Sequence, residues 1–174
     1  MRAWKSHEHI EVIFDESQKH RLKLTCTWDE DLPDCLYIML NPSSIELDKC
    51  DHTIDRCIKI AEFNGYGSIS IVNLFSLRTV KTEELLEAEI RSIPQNLWTI
   101  KKSIDKAHIV VAAWGSKGGW FNANYPILKY LEETGKKAHL LDANSFGCPM
   151  HPSFIKTMTY FKEYQFHEKI GLSS

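Results

Sequence analysis

Four short apolar stretches, each running out into polar or glycine residues, limit most strongly how this chain can fold. They are Leu36–Leu40, Ser68–Phe75, Ile109–Ala113 and Ala138–Leu141. Stretches of this length read as strands covered on both faces, as in a parallel sheet. The segments between them carry apolar residues at helical spacing. Asp51 or Thr53 can cap a helix whose Ile54, Ile58 and Ala61 share one face before Gly65 stops it. Thr82 can cap a helix over Glu83–Arg91, and a further helix around Asn96–Lys106 faces inward through Leu97, Ile100 and Ile104. Asn124 can cap a helix with Pro126 in its first turn and Gly135 at its end. After His151-Pro152-Ser153, the spacing of Phe154, Met158 and Phe161 predicts a last helix. Strands alternating with amphipathic helices give a three-layer α/β/α arrangement around a four-stranded parallel sheet. His9–Phe14 and Arg21–Trp28, on either side of Asp15-Glu16-Ser17, predict an N-terminal antiparallel hairpin that adds edge strands.

The chain has 174 residues, 43% of them hydrophobic and 25% charged, with no internal repeat or composition break. That predicts a single globular domain over residues 1–174. A net charge of −2 argues against a strongly basic nucleic-acid binder. No apolar run approaches a membrane span and the first residues lack a signal-peptide core, so the expected location is cytoplasmic, with no membrane partner. Cys26, Cys35, Cys50, Cys57 and Cys148 are odd in number and lack CxxC spacing, which favours reduced thiols.

Ligands of open α/β sheets bind beyond the carboxyl ends of the strands. The segments placed there are Asn41–Ser44, Asn73–Arg78, Trp114–Lys117 and Asp142–Ser153. The motifs Leu40-Asn41-Pro42-Ser43, Asp51-His52-Thr53-Ile54-Asp55-Arg56-Cys57, Gly65-Tyr66-Gly67, Val72-Asn73-Leu74-Phe75, Trp114-Gly115 and Pro149-Met150-His151-Pro152 resemble the domain-of-unknown-function family 1643. The likeness spans roughly residues 20–155, and the order and spacing of the motifs make it specific. Two positions depart from the family pattern. Arg78-Thr79 continues as Val80-Lys81 where a proline is usual, and Leu97 stands where an acidic residue is usual.

More distantly, the same loops are similar to the uracil-DNA glycosylase superfamily. The matching residues are Asn41-Pro42, Asn73, Trp114-Gly115 and His151-Pro152-Ser153. This likeness implies that the four strands lie in the order second, first, third, fourth. It also implies an N-glycosidase-like site, in which His151 stabilises the leaving base and Asn73 reads the base edge.

The residues themselves bear on that chemistry. Cleaving an N-glycosidic bond builds negative charge on the base, and a donor aimed at it stabilises the charge. His151 before a proline, at a helix amino end, suits a neutral donor; it equally suits a helix cap. Asn73 offers both a donor and an acceptor to a base edge, or bonds the neighbouring loop. Asn41 can place a water or a sugar hydroxyl, but an amide is no general base. Asp51 is the first carboxylate to test as a catalytic group, and it is also a helix cap. Arg56 and Arg78 could hold a phosphate or carboxylate, or pair with Asp51 and Asp55. Pro42, Ser43, Trp114, Gly115 and Ser153 complete the candidate binding set. Trp120, Phe121 and Phe146 are candidate stacking surfaces or plain packing. Ser116-Lys117-Gly118-Gly119 could turn backbone amides towards a phosphate, but it lacks the Walker pattern and reads first as a plain turn. Cys50, His52, Cys57, Cys148 and His151 lack structural-zinc spacing, so no metal and no cofactor is expected.

Two classes of function follow. One is a hydrolase acting at the N-glycosidic bond of a nucleobase-containing ligand; the other is a non-catalytic nucleotide or nucleobase binding module. In the mouth loops, Lys49, Arg78, Lys81 and Lys117 face six acids: Glu46, Asp48, Asp51, Glu83, Glu84 and Asp142. Gripping a duplex takes several basic phosphate contacts. The expected partner is therefore a small nucleotide-like ligand or a short single strand.

Overall fold

The computed structural model describes residues 1–43 and 48–166. Ser44 and Glu46, named above with the mouth loops, lie outside the described residues. The strands are β1 (His9–Phe14), β2 (Arg21–Thr27), β3 (Asp34–Met39), β4 (Ser68–Asn73), β5 (Ile109–Ala112), β6 (Ala138–Leu140) and β7 (Lys162–Glu163). The helices are α1 (His52–Phe63), α2 (Glu84–Glu87), α3 (Pro94–Lys106) and α4 (Tyr125–Thr134).

All seven strands form one mixed sheet in the order β1-β2-β4-β3-β5-β6-β7. Its central pairs, β4–β3, β3–β5 and β5–β6, are parallel. Its outer pairs, β1–β2, β2–β4 and β6–β7, are antiparallel. The sheet is thus larger than the four strands and hairpin expected. The hairpin bonds to β4 through β2, and β7, which has no apolar signature, closes the far edge on β6. β3 and β4 are buried along nearly their whole length, while β2 alternates between buried and half-buried residues. That difference separates strands covered on two faces from one covered chiefly on one.

Two clusters of buried residues lie on opposite faces of the sheet. Leu36, Ile38 and Val110 pack with Ile100 and Ile104 of α3 and with Ile127, Leu128 and Leu131 of α4. Cys35, Tyr37, Ile69 and Ile71 pack with Ile54, Cys57, Ile58 and Ala61 of α1. Helix boundaries follow local chemistry. Asp51 caps α1, its Oδ1 accepting from the Ile54 N–H at 2.8 Å. Pro94 opens α3 two residues ahead of the expected start, since its missing N–H costs nothing there. Gly135, at φ +66°, ends α4 in the left-handed region.

Two expected helices are cut short. The Glu83–Arg91 helix reduces to α2, because Ala88 turns extended and the Arg91 guanidinium donates to the Leu85 and Leu86 carbonyls. The helix expected through Phe154, Met158 and Phe161 is a single 3-10 turn, Pro152–Phe154. Arg56 donates to the Ile155 carbonyl, and Asn64 bonds both the Thr159 carbonyl and the Phe161 N–H. Those side chains of α1 and its cap satisfy backbone groups that a helix would otherwise pair. Phe161 is then seated against Tyr37 and Tyr66.

All five cysteines are free thiols, four of them buried. Burial pushes the Cys26 and Cys50 thiols up to about 12. No helix among the described residues is long and apolar enough to cross a membrane.

Candidate functional site

β3 and β5 lie side by side at the centre of the sheet, but the chain leaves them in opposite directions across it. β3 leads through α1 to β4, on one side; β5 leads through α4 to β6, on the other. Such a divergence opens a crevice at the carboxyl ends of the two strands. A cavity of about 640 Å³ lies there. Its wall takes Leu40, Asn41 and Ser43 from the end of β3, Trp114 and Gly115 from the end of β5, and His151 and Ser153 from the loop after β6. The volume falls in the range of small-molecule sites.

Several candidate residues hold one another in place. Asn41 gives its amide hydrogens to Thr79 Oγ1 at 2.8 Å and to the Pro42 carbonyl at 3.2 Å, so Oδ1 is the polar atom of its side chain not used in those bonds. Pro42 is buried, outside the cavity wall, and its carbonyl also accepts from the Thr79 N–H. Gly115, at φ +74°, takes a left-handed conformation that passes close to His151. A β-carbon there would stand 3.7 Å from that of His151. Trp114 is almost wholly buried, its ring in edge contact with Tyr164.

His151 begins the 3-10 turn and caps it: its Nδ1 accepts from the Ser153 N–H at 3.3 Å and lies 2.7 Å from the Ser153 hydroxyl. With Nδ1 accepting, the ring proton sits on Nε2. Burial lowers the imidazole pKa, and the charge of Asp51 opposes that only in part. The neutral form with Nε2–H is therefore the resting state near neutral pH.

Burial likewise lowers the pKa of His20 and His139. The sign of the resulting pH dependence is fixed. Each native ring binds protons less readily than in the unfolded chain, where the pKa is about 6.5. The stability is fully present above that value and is lost as the pH falls below it. The expected result is a melting temperature that drops between about pH 6.5 and pH 5, above the carboxylate range. A flat profile through that window would contradict the burial of these rings.

Other candidates stand elsewhere. Asn73 does not join the cavity wall; it is buried at 1% exposure. Its Oδ1 accepts from Arg21 at 3.3 Å and its backbone carbonyl from Asn96 at 2.9 Å. A buried network beneath β4 has thus captured the side chain expected to read a base edge. Arg78 turns away, placing its guanidinium over the Phe14 ring and donating to the Gln18 carbonyl. Arg56 binds the Ile155 carbonyl and so anchors the strand of chain that follows the His-Pro-Ser turn. Asp51 acts as the α1 cap and is not a wall residue. Asp55, expected as a partner for Arg78, pairs with Arg2 and Lys59. Phe121 packs edge-on to Phe75 beneath the Arg91 guanidinium, away from the mouth. Trp120 and Phe146 are likewise not wall residues. Among the described residues, no group of three His, Cys, Asp or Glu side chains could hold a metal.

The structure adds residues that the motifs did not mark. Thr79, Val80 and Thr82 bring the loop after β4 into the wall, and Asn144 and Phe154 extend the loop after β6 beyond the Pro149-Met150-His151 motif. Phe154 and Val80 are strongly exposed apolar side chains there, at 77% and 80%. Arg21 is the larger omission. Its guanidinium is buried, lies within ion-pair distance of no carboxylate among the described residues, and has no partner for Nε. Burial brings its pKa down to about 10, against the favourable charge of Asp51. A buried, unpaired cation is costly. The only sequence signal for it is an arginine at the first position of an otherwise half-buried strand.

Comparison with known proteins gives no match among the curated proteins and none among the solved structures. A family match does exist, over residues 21–153, and it takes in the strand ends and loops that form the cavity wall from Asn41 to Ser153. The chain belongs to the family described as Protein of unknown function (DUF1643).

Proposed function

We propose that the protein acts on a small nucleobase-containing ligand with the chemistry of an N-glycosidase. The observation that carries this reading is the state of His151. It is a wall residue of the central cavity, its Nδ1 is occupied by Ser153, and burial holds the ring neutral. A neutral imidazole with Nε2–H can donate to a base as negative charge develops on it. Asn41 Oδ1 is available to orient a water or a sugar hydroxyl, because both amide hydrogens are spent on Thr79 and Pro42. The proposed cleavage is dissociative; none of the described wall residues is a carboxylate. The C–N electron pair departs with the base, stabilised by His151. Water then bonds to the electron-poor sugar carbon and releases its proton to solvent. The central strand order β4-β3-β5-β6 supports the likeness to the uracil-DNA glycosylase superfamily drawn from the loops. The base-reading role moves from Asn73 to wall residues, since Asn73 is engaged by Arg21.

One observation favours a second reading, a nucleotide or nucleobase binding module. With Asp51 spent on the α1 cap, no carboxylate stands in the wall among the described residues. Both readings predict binding. In a thermal-shift screen of nucleobases, nucleosides, nucleotides and short oligonucleotides, a ligand at 100 times its dissociation constant is expected to stabilise the fold by about 2.7 kcal/mol. A screen with no shift from any of them overturns both readings. Release of free base from a binding nucleoside or nucleotide separates the first from the second.

A further inference from the structure

We infer that the ligand of this cavity is a free nucleotide whose terminal phosphate binds Lys117 at the rim, displacing Glu83 from it; this rests on the nucleobase reading above.

The sequence suggested an acidic mouth, but the folded wall is not acidic. Its side chains include Lys117, His151, two asparagines and five Ser or Thr hydroxyls, with no Asp or Glu among the described residues. Four of the acids counted around the mouth have partners of their own. Asp51 caps α1, Glu84 accepts from the Lys81 N–H at 2.7 Å, and Asp142 pairs with Lys162 at 3.1 Å. Glu83 is bound to Lys117 itself, Oε1 to Nζ, at 2.5 Å.

That ion pair bridges the 3-10 segment Ser116–Asn122 and the start of α2. It therefore brings Ser116 and Thr82, each adjacent in sequence to one partner, to the same rim of the cavity. Both partners are solvent-exposed, at 38% for Lys117 and 63% for Glu83. An exposed pair of this kind is weak. A phosphate dianion offers Lys117 more charge and more acceptor oxygens than a carboxylate does. The Trp120 ring lies 5.0 Å from the ammonium group, a cation–π contact. The single lysine of the wall among the described residues suits a terminal phosphate and not the several contacts a polynucleotide backbone needs.

Calorimetric titration at fixed low salt with the four common ribonucleosides and their 5′-monophosphates tests this. At least one monophosphate is expected to bind about tenfold or more tightly than its nucleoside, the usual scale of a charge-assisted contact. Lys117→Gln should shrink that gap to about twofold or less. Glu83→Gln should act in the opposite sense and widen the gap about twofold, because it removes the competitor for Lys117. A nucleoside that binds as tightly as its monophosphate overturns the inference, as does a gap that survives Lys117→Gln. Loss of affinity in both variants also overturns it, since the pair would then be a brace. Tighter binding of a trinucleotide than of its monomer points instead to a phosphodiester ligand. If no nucleoside or nucleotide binds, the nucleobase reading fails as well; if nucleosides bind without a gap, only the phosphate assignment fails.

Discussion

His151→Ala is expected to slow base release by roughly 10²–10³, the usual cost of losing one donor aimed at developing charge. The affinity for the intact ligand should change much less, because the bond to the base strengthens only as the C–N bond breaks. Single-turnover base release, measured beside equilibrium binding, separates the two effects. Ser153→Ala should give a smaller loss of the same kind. Without the Ser153 hydroxyl at 2.7 Å, Nδ1 keeps only the backbone N–H that fixes the tautomer. If His151→Ala leaves the rate of release intact, the histidine is a cap of the 3-10 turn and no more. If the variant loses binding and turnover in equal measure, His151 belongs to a receptor site.

Gly118→Ala is expected to lower stability by about 1–3 kcal/mol, the range for overpacking a filled interior. A β-carbon at Gly118 would lie 2.0 Å from Cδ1 of Trp114, and two further ring atoms would stand within 2.7 Å. These atoms belong to the body of the indole, and the ring is 2% exposed with Tyr164 at its edge. It therefore has little room to retreat. Since Trp114 also lines the cavity, the substitution should weaken ligand binding together with stability. Gly119→Ala, where nothing lies within 4 Å of the added carbon, is the control. Equal melting temperatures for the two variants would show that the indole moves aside freely.

The strands and most helix ends were legible because their causes are local. A strand covered on both faces needs apolar residues over its own length, and an N-cap needs a side-chain oxygen that accepts from an amide two or three residues on, as Asp51 and Ile54 show. The same locality explains two errors. Leu86 and Ile90 have helical spacing, yet Leu85 is the residue that the core buries, and Arg91 closes the turn early. Phe154, Met158 and Phe161 have it too, yet Arg56 and Asn64, about a hundred residues away in the chain, take the backbone groups a helix would use. β7 is two charged residues long and exists only because β6 offers it an edge.

By itself the sequence determined which loops meet: Asn41, Trp114-Gly115 and His151 each follow a central strand, and strands that run parallel bring their carboxyl ends to one edge. It also determined the local chemistry of the His-Pro-Ser turn, where a serine two residues on reaches the imidazole. Only the tertiary structure decided which side chains of those loops face the cavity. Asn73 was drawn inward by Arg21 and Asn96, Arg78 outward onto Phe14, and Glu83 and Asp142 were taken by Lys117 and Lys162. The reason is that a polar side chain goes to whichever partner best repays its desolvation, and here those partners lie tens of residues away.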